Sequence, residues 1–194
     1  MLVPLAPLLL VAALADAPPD VPGPRWELSA AAQTSTPLAL DQGLALGATA
    51  EVRRTLGLSP FFASGRLGWA LASAANESWL IDHHQLQLAA AIGAQRTLGS
   101  AQLFAQLGAG GAGVYEVLSR HQIQRIQAAG VPGGRQTSWS WGPELFGEIG
   151  LTLHLRAGIR GLIAVGPCAT WARVDGATED RLGGFARLGA AYDL

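Results

Sequence analysis

The apolar residues of this chain are abundant but scattered: after residue 15 no run reaches the roughly 18 consecutive apolar residues that a membrane-spanning helix needs. They recur at every second position instead, in one stretch after another. Side chains of a β-strand point alternately to its two faces, so this period marks strands with one oily face and one that is not. Hydrophobic residues make up 49% of the chain and charged residues only 14%, against about 25% charged in an ordinary soluble domain. An oily surface spread over many short strands is how a transmembrane β-barrel carries its hydrophobicity.

Eight alternating segments follow residue 24: 25–34, 43–54, 61–74, 84–98, 101–118, a sixth centred on 145–155, 159–174 and 181–194. The sixth is the clearest, with Leu145, Gly147, Ile149, Leu151, Leu153 and Leu155 opposed to Glu144, Phe146, Glu148, Gly150, Thr152 and His154. The connections test the parity independently. The fourth segment keeps its apolar face on even positions and the fifth on odd ones, so the link between them must have even length, and Gly99-Ser100 supplies two residues with Gly first, as a type II′ turn requires. The sixth and seventh share odd parity, and Arg156-Ala157-Gly158 supplies three residues ending in Gly, where a left-handed bulge residue belongs. Pro143 and Pro167 cannot donate to a closed ladder and are expected at a bulge or near a rim.

Residues 1–15 read as a cleaved secretory signal, with an apolar core from Leu2 to Leu14 and a small-residue site at Ala13-Leu14-Ala15. Residues 16–24 form a Pro-rich leader, and the barrel occupies 25–194. The lone Cys168 excludes an internal disulfide framework and a cysteine zinc cluster. All 13 basic residues are Arg, scattered along a chain of net charge −1, which argues against a nucleic-acid groove. No cofactor site is read from the sequence.

The last segment closes on Arg187, Gly189, Tyr192 and Leu194. This spacing resembles the terminal insertion signal of bacterial outer-membrane β-barrel proteins, and the chain from residue 28 onward resembles the small eight-stranded members of that group. The resemblance implies an all-β, antiparallel, up-and-down transmembrane barrel with both termini and the short turns in the periplasm and the longer loops outside. It implies outer-membrane lipid as surroundings and the barrel-assembly machinery as the partner during insertion.

The same alternation could point the apolar face inward, so orientation needs separate grounds. The less apolar face is mostly Gly, Ala, Ser and Gln, too weakly charged for the skin of a soluble barrel. Trp26, Phe61, Tyr115, Trp139, Trp141, Trp171 and Tyr192 share the apolar parity near strand ends, as interfacial girdles do. Glu27, Glu51, Arg53, Arg66, Glu116, Glu144, Glu148, Arg160, Arg187 and Asp193 then face a lumen that eight strands make just wide enough for side chains to fill. A plug of ion pairs and Gln hydrogen bonds is expected.

Chemistry is less visible. Glu144 and Glu148 stand four residues apart on one strand face, about 13 Å, too far for joint acid/base work. His83-His84 is expected as a solvated loop edge, since neighbouring strand residues point oppositely and cannot share a metal. The connection 119–138 is the candidate binding loop for an extracellular partner, with His121, Ile123, Arg125 and Ile126 expected to prolong the hairpin and Val131-Pro132-Gly133-Gly134 at its tip. The expected role is structural or loop-mediated binding, without catalysis. Alternatives are a lipid-modifying enzyme using Ser119, His121 and an acid, or a secreted soluble barrel whose Leu145, Ile149, Leu151 and Leu153 face an apolar ligand inside.

Overall fold

The computed structural model describes residues 25–37, 45–57, 60–75, 80–118, 120–130, 137–156, 158–174 and 177–194. The signal and leader expected over 1–24, the tip at 131–134 and Ser119 lie outside the described residues. Eight antiparallel strands in sequence order close into a barrel. They are β1 (Trp26–Pro37), β2 (Ala45–Thr55), β3 (Phe61–Ala75), β4 (Leu80–Leu98), β5 (Ala101–Leu118), β6 (Thr137–Arg156), β7 (Ile159–Val174) and β8 (Ala177–Asp193), and among the described residues a helix, α1 (Arg120–Ala128), lies between β5 and β6. The terminal strand closes the ring, with Tyr192 opposite Leu28 on β1 and opposite Ile159 on β7.

Register follows the turns. Leu98 pairs with Ala101 around Gly99, whose φ of 63° only Gly adopts without strain. At the next turn on the same end Gly158 has φ 74°, and the β6–β7 register shifts by one residue between His154 and Arg156, the bulge that the three-residue connection predicts. At the opposite end the strands run further than the apolar pattern does. β7 and β8 pair out to Val174 and Ala177, leaving Asp175-Gly176 between them where the pattern predicts a loop over 175–180, and β4 begins at Leu80 where 84 was expected. Pairing beyond the apolar band satisfies backbone groups that a loop would leave to water.

The two prolines divide. Pro143 sits opposite Gly111 of β5 and just past Glu144–Thr170, where the β6–β7 ladder starts, toward the outer end. Pro167 is not at a bulge or a rim. It lies in mid-strand, where pairing with β6 lapses between Phe146–Cys168 and Ile149–Val165 and resumes in unchanged register. Omitting two rungs tolerates the missing donor without bending the strand.

The apolar face is outside. Leu145 is 51% exposed and Ile149 39%, whereas Phe62, Phe104 and Glu148 are fully buried in the lumen. The soluble alternative required Leu145, Ile149, Leu151 and Leu153 to face inward; Leu145, Ile149 and Leu153 are exposed on the outer wall, and Leu151, of the same parity, is half-buried. Leu162, the one large aliphatic of the opposite parity, packs inside against Ala31, Phe62, Phe104 and Ala164.

Candidate functional site: the charged lumen and the outer rim

Inward residues of five strands, β2, β3, β5, β6 and β8, meet in the middle of the barrel. Glu51 of β2 is the hub: its Oε2 accepts from Nε (3.1 Å) and Nη2 (2.9 Å) of Arg66 and from Nη1 of Arg187 (2.8 Å). Its Oε1 accepts from Arg53 Nη2 at 3.1 Å. Glu148 of β6 faces it and takes Arg66 together with Arg187 Nη1 at 2.9 Å. Gln106 donates weakly to Glu51 at 3.4 Å and accepts from Ser64 Oγ at 3.0 Å. Charges this deep are tolerable only because each carboxylate holds several guanidinium donors.

Aromatic rings wall this cluster above and below. The Arg53 guanidinium lies 4.2 Å from the centroids of both Phe62 and Phe104, and Arg66 lies 4.4 Å from Phe146. The rings fit because each sits opposite a glycine on the adjacent strand: Phe62 faces Gly93, Phe104 faces Gly150 and Phe146 faces Gly108. A Cβ at any of these glycines would come within 2.4 Å of a ring carbon.

Toward the short-turn end, Arg160 joins Glu27, Asp193 (2.5 Å) and Gln102, and Arg53 reaches Glu27 at 3.3 Å. Below lies an open vestibule of about 440 Å³ bordered by Arg25, Glu27, Gln95, Gln102, His154 and Arg160. Toward the outer end, Glu144 accepts from Gln87, and Cys168 packs against Phe146 and Phe185.

Eight of the ten lumen residues singled out in the sequence thus form one connected network: Glu27, Glu51, Arg53, Arg66, Glu148, Arg160, Arg187 and Asp193. Glu144 stands apart, and the side chain of Glu116 lies outside the described residues. Gln102, Gln106, Ser64 and Thr152 join it; Gln bonds were expected but not which residues make them, since polar residues on an inward face carry no signal of which one lies at hydrogen-bond range.

On the outer wall, Trp26, Phe61 and Tyr192 are exposed at the short-turn end, and Trp139 and Trp141 are exposed at the other, where Tyr115 and Trp171 are half-buried. Trp69, His84, Tyr115 and Trp139 form a row across β3 to β6 with centroids 6.1, 6.1 and 6.0 Å apart. His84 is therefore no loop edge. It is an outward β4 residue, held in the ladder opposite Leu71 and Tyr115.

The candidate loop also departs from expectation. Residues 120–128 are helical, so His121, Ile123, Arg125 and Ile126 do not prolong the hairpin. Ile123 and Ile126 are spaced by three, which puts them on one helix side, where both are half-buried while Arg125 is exposed. Gln, Arg and Ala favour the helix, and Gly130 ends it at φ 69° with Ala129 N donating to Arg125 O at 2.9 Å. The side chain of His121 lies outside the described residues. Among the described residues no three His, Cys, Asp or Glu side chains gather as a metal site.

No protein-family model and no curated protein matches the chain. Solved structures do match. Ail, the attachment invasion locus protein of Yersinia pestis, superposes at TM-score 0.53 and 14% identity over 90% of this chain and 100% of that one. Neisserial surface protein A gives 0.57 and 10% over 89% and 97%, and OprG of Pseudomonas aeruginosa 0.56 and 14% over 92% and 99%. Ail has also been solved with the heparin analogue sucrose octasulfate. The outward apolar band, the inward charges and this topology together make the chain a transmembrane β-barrel with the fold of the small eight-stranded proteins of the bacterial outer membrane.

Proposed function

We propose that this protein is a sealed outer-membrane barrel whose role is to hold its third outer connection, residues 119–136, at the cell surface for binding, with no catalytic step and no general diffusion pathway. The observation that carries the reading is the layer of Glu51, Arg66, Glu148 and Arg187, all at most 2% exposed and bonded across the barrel from four strands. An eight-stranded lumen has little room beyond its side chains, and this layer fills it. Liposomes carrying the folded barrel should swell in an isotonic pentose solution no faster than protein-free liposomes. Swelling at a porin-like rate would end the sealed reading.

The chemistry of the third connection favours anionic partners. Between Glu116 and Glu144 there is no acidic residue, while Arg120, Arg125 and Arg135 fall in that interval. The other outer connections and their flanks carry Asp41, Glu77, Asp82, Asp175, Glu179 and Asp180 against Arg173 and Arg181, and so stay acidic in balance. A basic segment among acidic neighbours selects polyanions by charge and rejects them elsewhere on the rim. Micellar barrel should be retained on a heparin column at low salt and elute earlier after Arg120, Arg125 and Arg135 are all changed to Ser. Equal retention of the two proteins would remove this segment from the binding role.

A further inference from the structure

The buried polar atoms that lack a partner in the lumen are sorted by kind. Toward the short-turn end and in the middle they are N–H donors, on Arg53, Arg160 and Arg187; the others are oxygens, Gln33 Oε1 on the strand neighbouring Arg187, and Thr49 Oγ1, Gln87 Oε1 and Glu144 Oε2 toward the outer end. Thr49, Gln87 and Glu144 are 4%, 7% and 2% exposed and come from three strands, β2, β4 and β6. They are close to one another. A Cβ at Gly68 would meet Gln87 Oε1 at 3.0 Å and the Thr49 methyl at 3.3 Å, so both border the space that this glycine leaves open. The amide nitrogen of the same Gln87 donates to the other oxygen of Glu144.

Glu144 is the exception among the lumen acids. Glu27, Glu51, Glu148 and Asp193 each hold at least one Arg, whereas among the described residues Glu144 forms no ion pair. A buried carboxylate left with one free oxygen, bonded to a Gln87 and near a Thr49 that each carry an unpartnered oxygen of their own, is costly unless a cation or a proton sits there. We infer that Glu144, Gln87 and Thr49 form a binding site for a monovalent alkali cation in the outer half of the lumen. Hard oxygen donors with no nitrogen or sulfur suit Na⁺ or K⁺, and a single carboxylate is too little charge for the all-protein cages that hold Ca²⁺. The guanidinium groups of Arg66 and Arg187 form the floor and keep the cation from passing further.

The test is urea unfolding of the whole barrel in micelles, followed by Trp fluorescence, in NaCl, KCl and choline chloride at matched ionic strength. Alkali cation at ten times its dissociation constant should lower the unfolding equilibrium constant about tenfold relative to choline. Glu144→Gln should abolish that difference and Thr49→Val should shrink it. Equal unfolding in all three salts, or a cation effect that survives Glu144→Gln, overturns the site. So does a carboxylic-acid infrared band at neutral pH that disappears in Glu144→Gln, because a proton would then hold the place of the cation. Should Glu144→Gln fail to fold, broadening of the ²³Na resonance by the unaltered barrel, reversed by excess K⁺, supports the site, and its absence overturns it.

Discussion

Changing Glu51 to Ala is expected to lower the unfolding free energy in micelles by about 3–5 kcal/mol, the cost of removing one partner from a buried ion-pair set. The side chain is 1% exposed and accepts from three Arg residues at 2.8 to 3.1 Å. Without it Arg66 and Arg187 still share Glu148, and Arg53 still reaches Glu27 at 3.3 Å. Three cations would then crowd a space from which their common anion is gone, between rings that admit little water. Glu51→Gln keeps the volume and part of the hydrogen bonding and should fall between the two. Changing Glu51 and Arg187 together to Leu should cost less than the separate changes added up, because charge then leaves in a pair. Arg54→Ala, on an exposed Arg 5.1 Å from the Trp26 ring, should stay within about 0.5 kcal/mol of the parent. Urea midpoints of these six variants, the two single Leu changes included, decide the matter: a loss under about 1 kcal/mol for Glu51→Ala would mean that water reaches the cluster and screens it.

The inward and outward sets were legible because alternation leaves no choice: once Leu145 faces lipid, Glu144, Phe146 and Glu148 must face the lumen. Gly99 and Gly158 were legible too, since a tight turn of given length leaves one place for a left-handed residue. Which inward residues touch was not. Glu144 and Glu148 share one strand and one face, yet among the described residues Glu148 holds two Arg residues and Glu144 only an amide. That difference depends on what β3, β4 and β8 bring to each height, and register across a barrel accumulates over strands that no local pattern links. The helix at 120–128 was hidden by reading Ile123 and Ile126 as alternating residues, although their spacing of three is helical. His84 was displaced by the assumption that strands end where the apolar pattern does; β4 carries on to Leu80.

The pairing of lumen Phe with cross-strand Gly leads to the second large effect. Gly150→Val should destabilise the barrel by about 1–3 kcal/mol through overpacking, with up to about 2 kcal/mol more if the guanidinium of Arg53 loses its ring. A Cβ at Gly150 would stand 2.3 Å from Cζ and 2.5 Å from Cε1 of Phe104, and 2.9 Å from the Cβ of Ala164. The ring cannot swing away freely. It is fully buried, meets Phe62 edge-on at 6.4 Å between centroids and covers Arg53 at 4.2 Å. If the clash with the ring is the cause, shortening the ring must relieve it: Phe104→Leu costs stability alone, but Gly150→Val added to Phe104→Leu should cost at least 1 kcal/mol less than it does in the parent, within the range measured for side chains in contact. Additivity within about 0.5 kcal/mol would show that valine is refused by the β6 backbone and Ala164 rather than by the ring, and Gly150 would then be a glycine for the closeness of strands and not for the seating of Phe104.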